Sequence, residues 1–210
     1  GGRFSGEERV RLKTLREAIE LGAEYVDCEA DSFLEFGKSR STETKFIVSR
    51  HDFEKMPNLF EVLQSFKMMM PDIAKVVGMA RSSLDALHAL EVLNKADMDV
   101  ISLAMGRKGI PSRVLAARYG GYLTFVSENS PDKGTAPGQL SASAMRETYL
   151  AHLIDAETTV LSYLLPEEII ELKEIAEANH FLRSSDKNAV IVPFEIDESE
   201  LGKVFDVSDL

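Results

Sequence analysis

Cysteine is nearly missing from this 210-residue chain, with Cys28 standing alone, and tryptophan is missing altogether. A lone cysteine excludes an intramolecular disulfide and a cysteine zinc cluster, and it fits a reducing compartment, cytoplasm or plastid. Basic residues are scarce: 24 Lys+Arg face 35 Asp+Glu, a formal net charge of −11. That balance argues against nucleic acid or an anionic membrane as a partner, since phosphate binding needs clustered cations. No apolar run approaches the ~18 residues of a membrane span. No Gly-x-Gly-x-x-Gly follows a strand-like segment, which leaves a dinucleotide fold without support. Internal repeats and low-complexity stretches are absent too. An initiator Met and a basic-then-apolar leader are lacking, and the opening Gly1-Gly2-Arg3 reads as a cut front.

What remains is ample apolar material, 44% of residues, arranged in alternating segments. Arg9 to Leu21 carries Val10, Leu12, Leu15 and Ile19 close to one helical face, and Gly22 stops it. Tyr25 to Glu29 and the β-rich Lys45 to Ser49 read as strands of a buried parallel sheet. Leu59 to Met70 reads as a helix with Met68-Met69-Met70 filling core at its end, then Ile73 to Val77 as a strand. Ser82 to Leu93 (helix), Val100 to Met105 (strand) and Pro111 to Tyr119 (short helix, proline in its first turn) follow. Leu123 to Phe125 is the expected fifth strand and Ser141 to about Leu153 the last helix of the series. Five strand-plus-helix units in about 150 residues imply an α/β fold with a parallel sheet, doubly wound or a (β/α)8 barrel. Polar residues at strand C-terminal ends favour the barrel.

Charge changes along the chain. Residues 166–210 hold 12 acidic and 4 basic side chains, and residues 1–165 hold 23 and 20. We therefore expect one unit over residues 1–155 and an acidic C-terminal extension over 156–210, reading as a separate appendage. Within it, Glu167 to Ala178 should be helical, with Ile169, Ile170, Leu172 and Ile175 partly buried. Ala189 to Glu195 should form a short strand, the one strand the extension offers.

Chemistry concentrates at a few positions. Lys75 sits inside Asp72-Ile73-Ala74-Lys75-Val76-Val77, where alternation puts Ile73, Lys75 and Val77 on one face. A lysine in a buried strand must pair, snorkel or lose its proton, and an unprotonated amine forms an imine with a ketone. Its bland alternative is an ion pair with Asp72 or Glu29. His51 follows a strand, where a barrel would hold a general acid/base, or it is a loop histidine beside Asp52. His88, His152 and His180 share no ligand spacing with it, so no metal site is expected. Arg113, near a helix start, suits a carboxylate or is an ordinary surface arginine. Gln139 lies in the Thr135-Ala136-Pro137-Gly138-Gln139 turn after the expected fifth strand, and could reach a polyol from a barrel rim.

Four segments in order, Ile47-Val48-Ser49-Arg50-His51-Asp52-Phe53, Asp72-Ile73-Ala74-Lys75, Met105-Gly106 through Ser112-Arg113 and Ala136-Pro137-Gly138-Gln139, resemble the type I 3-dehydroquinate dehydratases. The resemblance covers Gly1 to about Tyr149. The Gly1-Gly2-Arg3-Phe4 opening looks most like the plant-type enzymes, whose dehydratase is fused to a shikimate dehydrogenase. The resemblance implies a (β/α)8 lyase, without cofactor or metal, that dehydrates 3-dehydroquinate to 3-dehydroshikimate in the shikimate pathway. It implies Lys75 as the Schiff-base lysine, His51 as the proton carrier, Arg113 as the carboxylate ligand, and Gln139, Thr135 and Met105 as further substrate contacts. Thr135 stands where the family usually has serine, and Leu103 where it often has methionine. The family's first three strands would lie before Gly1. The expectation is therefore an incomplete barrel of about five units whose open inner face exposes Lys75 to water. Two other readings compete: a class I aldolase, which should carry a glycine-rich phosphate loop, and a non-catalytic interaction module.

Overall fold

The computed structural model describes residues 4–36, 43–128, 136–165 and 172–206. Its frame is a parallel four-stranded sheet in the order β1 (Tyr25–Glu29), β2 (Lys45–Asp52), β3 (Ile73–Met79), β4 (Val100–Met105). Helices α1 (Glu8–Glu20), α2 (Ala30–Phe36), α3 (Leu59–Lys67) and α4 (Ser83–Lys95) alternate with the strands, as parallel crossovers require. Local signals start the crossovers. The Asn58 side chain accepts the Glu61 N–H before α3, and Ser82 with Asp85 forms a capping box before α4.

Register decides what each face does. Ser49 pairs with Lys75 and Lys75 with Ile101, while Asp27 pairs with Ile47. Period two then places Asp27 and Glu29, Ser49 and His51, Lys75 and Val77, Leu103 and Met105 on one face. The opposite face carries Val26, Cys28, Phe46, Val48, Ala74 and Val76, buried in one cluster with helix residues such as Leu63, Phe66 and Leu90. Phe46 also meets the rings of Phe33 and Phe36 at 5.7 and 5.8 Å.

Four strand positions agree with the sequence reading, and β2 runs three residues longer, so that His51 lies within it. The expected fifth strand does not form. Leu123 to Phe125 passes β4 with one backbone bond, Tyr122 N–H to the Val100 carbonyl at 2.9 Å, and no ladder. It turns instead across the inner face, where Tyr122, Leu123 and Phe125 pack on Ile47, Ile73, Val77 and Ile101. The apolar part of the inner face is therefore covered, and Lys75 is only 8% exposed, whereas Tyr25 and Asp27 on β1 stay exposed. The expected exposure of Lys75 is corrected because this apolar segment buries its side chains against that part of the face.

Helix boundaries differ as well. After α3 the chain leaves the helix at Lys67, and Met68 and Met70 are exposed rather than core filling; Met70 turns with φ +47°. The helix expected at Pro111–Tyr119 divides into α5 (Ile110–Val114) and a 3-10 turn, Ala116–Tyr119. The helix expected from Ser141 is a π-helical turn, Ala144–Thr148, and a 3-10 turn, Ala151–Leu153, separated by Leu150 at φ +49°.

The C-terminal segment adds two strands where one was expected: β5 (Thr159–Leu165) and β6 (Ala189–Glu195), paired in parallel and joined through α6 (Leu172–Ser184). A final short helix, α7, spans Leu201–Asp206. Of the residues expected on the helical face, Ile175 is buried and Leu172 exposed, and Ile169 and Ile170 lie outside the described residues. The segment does not stand apart. Ile175, Val190, Val192, Phe194 and Ile196 join the main buried cluster. Asn179, 1% exposed, donates to the Thr148 and Ile191 carbonyls and accepts the Ile191 N–H, tying α6 to the 144–148 turn.

Candidate active site

The inner face of β1–β4 lines a cleft of about 680 Å³. Lys75 stands on it, its Nζ donating to Asp27 Oδ2 at 2.7 Å and lying 4.2 Å from the centre of the Phe125 ring. Carboxylate and ring face both attract an ammonium. The lysine's partner is thus Asp27, neither Asp72 nor Glu29. Asp72 accepts the Phe46 N–H, and Glu29 is engaged by His51.

His51 occupies the neighbouring strand, one inward position further along than Ser49, the residue opposite Lys75. Its Nδ1 meets Glu29 Oε1 at 2.9 Å and its ring stacks on Phe53. Burial works to raise the Glu29 carboxyl, and hydrogen bonding and charge, with His51 first among them, outweigh it and leave it lowered. Asp52 takes no part, because its carboxylate caps the N–H groups of Glu54 and Lys55.

Arg113 enters from α5. It is 2% exposed, its NH2 donates to the Pro137 carbonyl at 3.3 Å, and its Nε has no partner. Burial pushes its guanidinium down to about 10, which still leaves it a cation at neutral pH. A buried guanidinium with an open donor is a ready receptor for a carboxylate. Gln139, also buried, and Met105 complete this wall. Thr135 lies outside the described residues. Cys28 points to the helix side, and burial pushes its thiol up to about 12, so it is no nucleophile. Among the described residues no group of His, Cys, Asp and Glu is arranged to hold a metal ion.

A family model of the type I 3-dehydroquinases matches residues 1–155. The chain belongs to that family. It is 36% identical over 157 residues to a 3-dehydroquinate dehydratase of Methanocaldococcus jannaschii, covering 71% of this chain and 70% of that protein. It is 31% identical over 204 residues to a chloroplastic bifunctional 3-dehydroquinate dehydratase/shikimate dehydrogenase of Arabidopsis thaliana, covering 94% of this chain and 34% of that protein. The 3-dehydroquinate dehydratase structure from Geobacillus kaustophilus superposes with a TM-score of 0.60 at 25% identity, over 70% of this chain and 60% of that one. The chain thus spans about a third of the fused plant relative's length. The sheet and its alternating helices are part of the (β/α)8 arrangement of type I 3-dehydroquinases.

Three features of this 3-dehydroquinase cleft escaped the sequence reading. Asp27 was not paired with Lys75, although Val26-Asp27-Cys28-Glu29 alternates apolar and acidic and so announces two carboxylates on the inner face. Ser49 pairs with Glu29 on one side and Lys75 on the other, and the sequence reading gave it no role although it opens the motif that ends in His51-Asp52-Phe53. A cluster of Glu8, Arg11 and Ser32 also reaches the cleft. There Arg11 bonds Glu8 and Ser32, and Ser32 donates to Glu8 at 2.7 Å. The Arg11 guanidinium, with the Ser32 hydroxyl, holds the Glu8 carboxyl down to about 2.

Proposed function

We propose that this chain carries the Schiff-base lysine and the substrate-binding wall of an enzyme that dehydrates 3-dehydroquinate. The observation that carries the reading is the pairing, in one cleft, of buried Lys75 with a buried Arg113 whose Nε is unpartnered. Arg113 takes the substrate carboxylate, and Gln139 and Met105 bound the ring beside it. Lys75 condenses with the C3 ketone and releases water. The protonated imine is an electron sink, so the C2 proton becomes acidic and passes to a nearby base. His51, steadied by Glu29, serves as that base and then protonates the departing C1 hydroxyl. Hydrolysis of the imine returns Lys75 and frees the enone.

We further propose that residues 156–206 open the second half of a fused protein. The Arabidopsis match, at 94% of this chain, reaches beyond the 155 residues of the family match, and that relative is a dehydratase/shikimate dehydrogenase. A shikimate dehydrogenase partner on the same polypeptide would take up the dehydration product.

The test is chemical trapping. The protein incubated with 3-dehydroquinate and reduced with borohydride should gain the mass of one reduced imine, and peptide mapping should place it on Lys75. Lys75→Met should gain none. An adduct on Lys55 or Lys108, or retro-aldol cleavage of a sugar phosphate in place of dehydration, would overturn the assignment.

A further inference from the structure

The segment from Met105, the last residue of β4, through the turn to Arg113 in α5 has both ends on the cleft wall, and it is gripped from two sides. On the cleft side Gly106 N–H and Arg113 NH2 both donate to the Pro137 carbonyl, at 3.0 and 3.3 Å. Within the turn, the Ser112 hydroxyl donates to the Gly109 carbonyl at 2.7 Å and accepts the Ala104 N–H at 2.9 Å. On the outer side the grip comes from the C-terminal segment. Glu195, at the end of β6, sets its Oε2 2.9 Å from Arg107 NH2, an ion pair without hydrogen-bond alignment. The Ser83 hydroxyl, 1% exposed, donates to the Lys108 carbonyl and accepts the Glu195 N–H, each at 2.9 Å.

Glu195 is a carboxylate only 12% exposed, at the end of a strand more than eighty residues from the turn it touches. Desolvating a charge costs free energy unless it is paired, and a surface counterion at the rim would have served solubility alone. Here the paired cation is inside the turn that carries the carboxylate-binding arginine. We propose that Glu195 is a positioning residue for the substrate-binding wall: through Arg107 and the Ser83 hydroxyl it fixes the 105–113 turn and hence the depth at which Arg113 meets a substrate carboxylate. The inference rests on the reading of Arg113 under Proposed function. It also means that the β5–β6 unit, which contributes no lining residue among those described, still tunes the cleft.

Glu195→Gln keeps the size and backbone of the side chain and removes its charge, and Arg107→Gln does the same from the exposed partner. Each should raise KM for 3-dehydroquinate roughly three- to tenfold while kcat stays within about twofold, because ground-state and transition-state binding weaken together. The substrate concentration that half-saturates borohydride trapping on Lys75 should rise in parallel. The exchanged pair Arg107→Glu with Glu195→Arg should recover most of the loss, which a role in folding alone would not require. Unchanged KM and trapping in both single variants would overturn the proposal. So would equal losses in kcat and KM that track a fall in melting temperature, with no recovery in the exchanged pair. If the unaltered protein forms no Lys75 adduct, the reading of the cleft fails first; if it does and the variants behave as parent, the positioning role alone fails.

Discussion

At the scale of single residues the cleft is a set of charges that hold one another. Lys75 leans on Asp27, His51 on Glu29 and Arg11 on Glu8, while the buried Arg113 Nε has no hydrogen-bond partner. The His51–Glu29 contact has a direct consequence. A carboxylate on Nδ1 fixes the tautomer and orientation of the imidazole, which a proton carrier needs in mid-reaction. Glu29→Gln keeps a hydrogen-bond acceptor there and removes the charge. Turnover should fall about tenfold or more with KM nearly unchanged, measured by the absorbance of the enone product. An equal rise in KM with kcat intact would place Glu29 in substrate binding instead. Lys75, His51 and Arg113 stood out in the sequence chiefly through the motif segments that carry the family resemblance, and the structure brings the three to one cleft. Lysine's partner was not legible, because Asp27 lies two strands away and only the register brings it near.

Between residue and fold lie the elements, and here the loops matter more than the strands. Gly138 adopts φ +71°, and a Cβ on it would sit 2.2 Å from the Gly106 carbonyl oxygen. The loop of Ala136 to Gln139 can dock on the β4–α5 turn only because that atom is missing. Gly138→Ala should therefore cost about 1–3 kcal/mol of stability and raise KM, since Pro137 can no longer anchor Arg113 and Gly106. Calorimetry and initial rates check both; a variant with parental KM would show that this loop is no part of the binding wall. The strands β2 to β4 were readable, because apolar runs buried on both faces leave little choice of structure, and β1 was readable by its alternation of buried and exposed positions. Leu123 to Phe125 misled for the same reason. Its apolar pattern reports burial, and burial against the inner face of the sheet looks identical in sequence to burial within it. The 144–153 region misled through Leu150, whose left-handed conformation no helical periodicity announces.

For the whole molecule, the charge step near residue 160 suggested an appendage, yet charge describes only the outer surface of the C-terminal segment. Its inner surface is apolar, and Ile175, Val190, Val192, Phe194 and Ile196 share the cluster that also holds Leu90 and Val114. Burying such side chains is worth about 1.5–3 kcal/mol each, so the five together contribute on the order of 10 kcal/mol as an upper estimate. A domain's entire stability is about 5–15 kcal/mol. The polar seam acts in the same sense, since removing α6 and β6 takes the Glu195 N–H from the buried Ser83 hydroxyl and strips the Thr148 carbonyl of its Asn179 donor. The chain cut after Thr158 should accordingly lose its cooperative melting transition or melt about 20 °C lower than residues 1–210. It should bind a dye for exposed apolar surface at temperatures where the longer chain does not. A melting temperature within about 5 °C of the parent would mean that the two parts fold independently and that the shared cluster adds little. In that case the Arg107–Glu195 contact could not transmit anything to the cleft, so this truncation tests the architecture on which the positioning role depends.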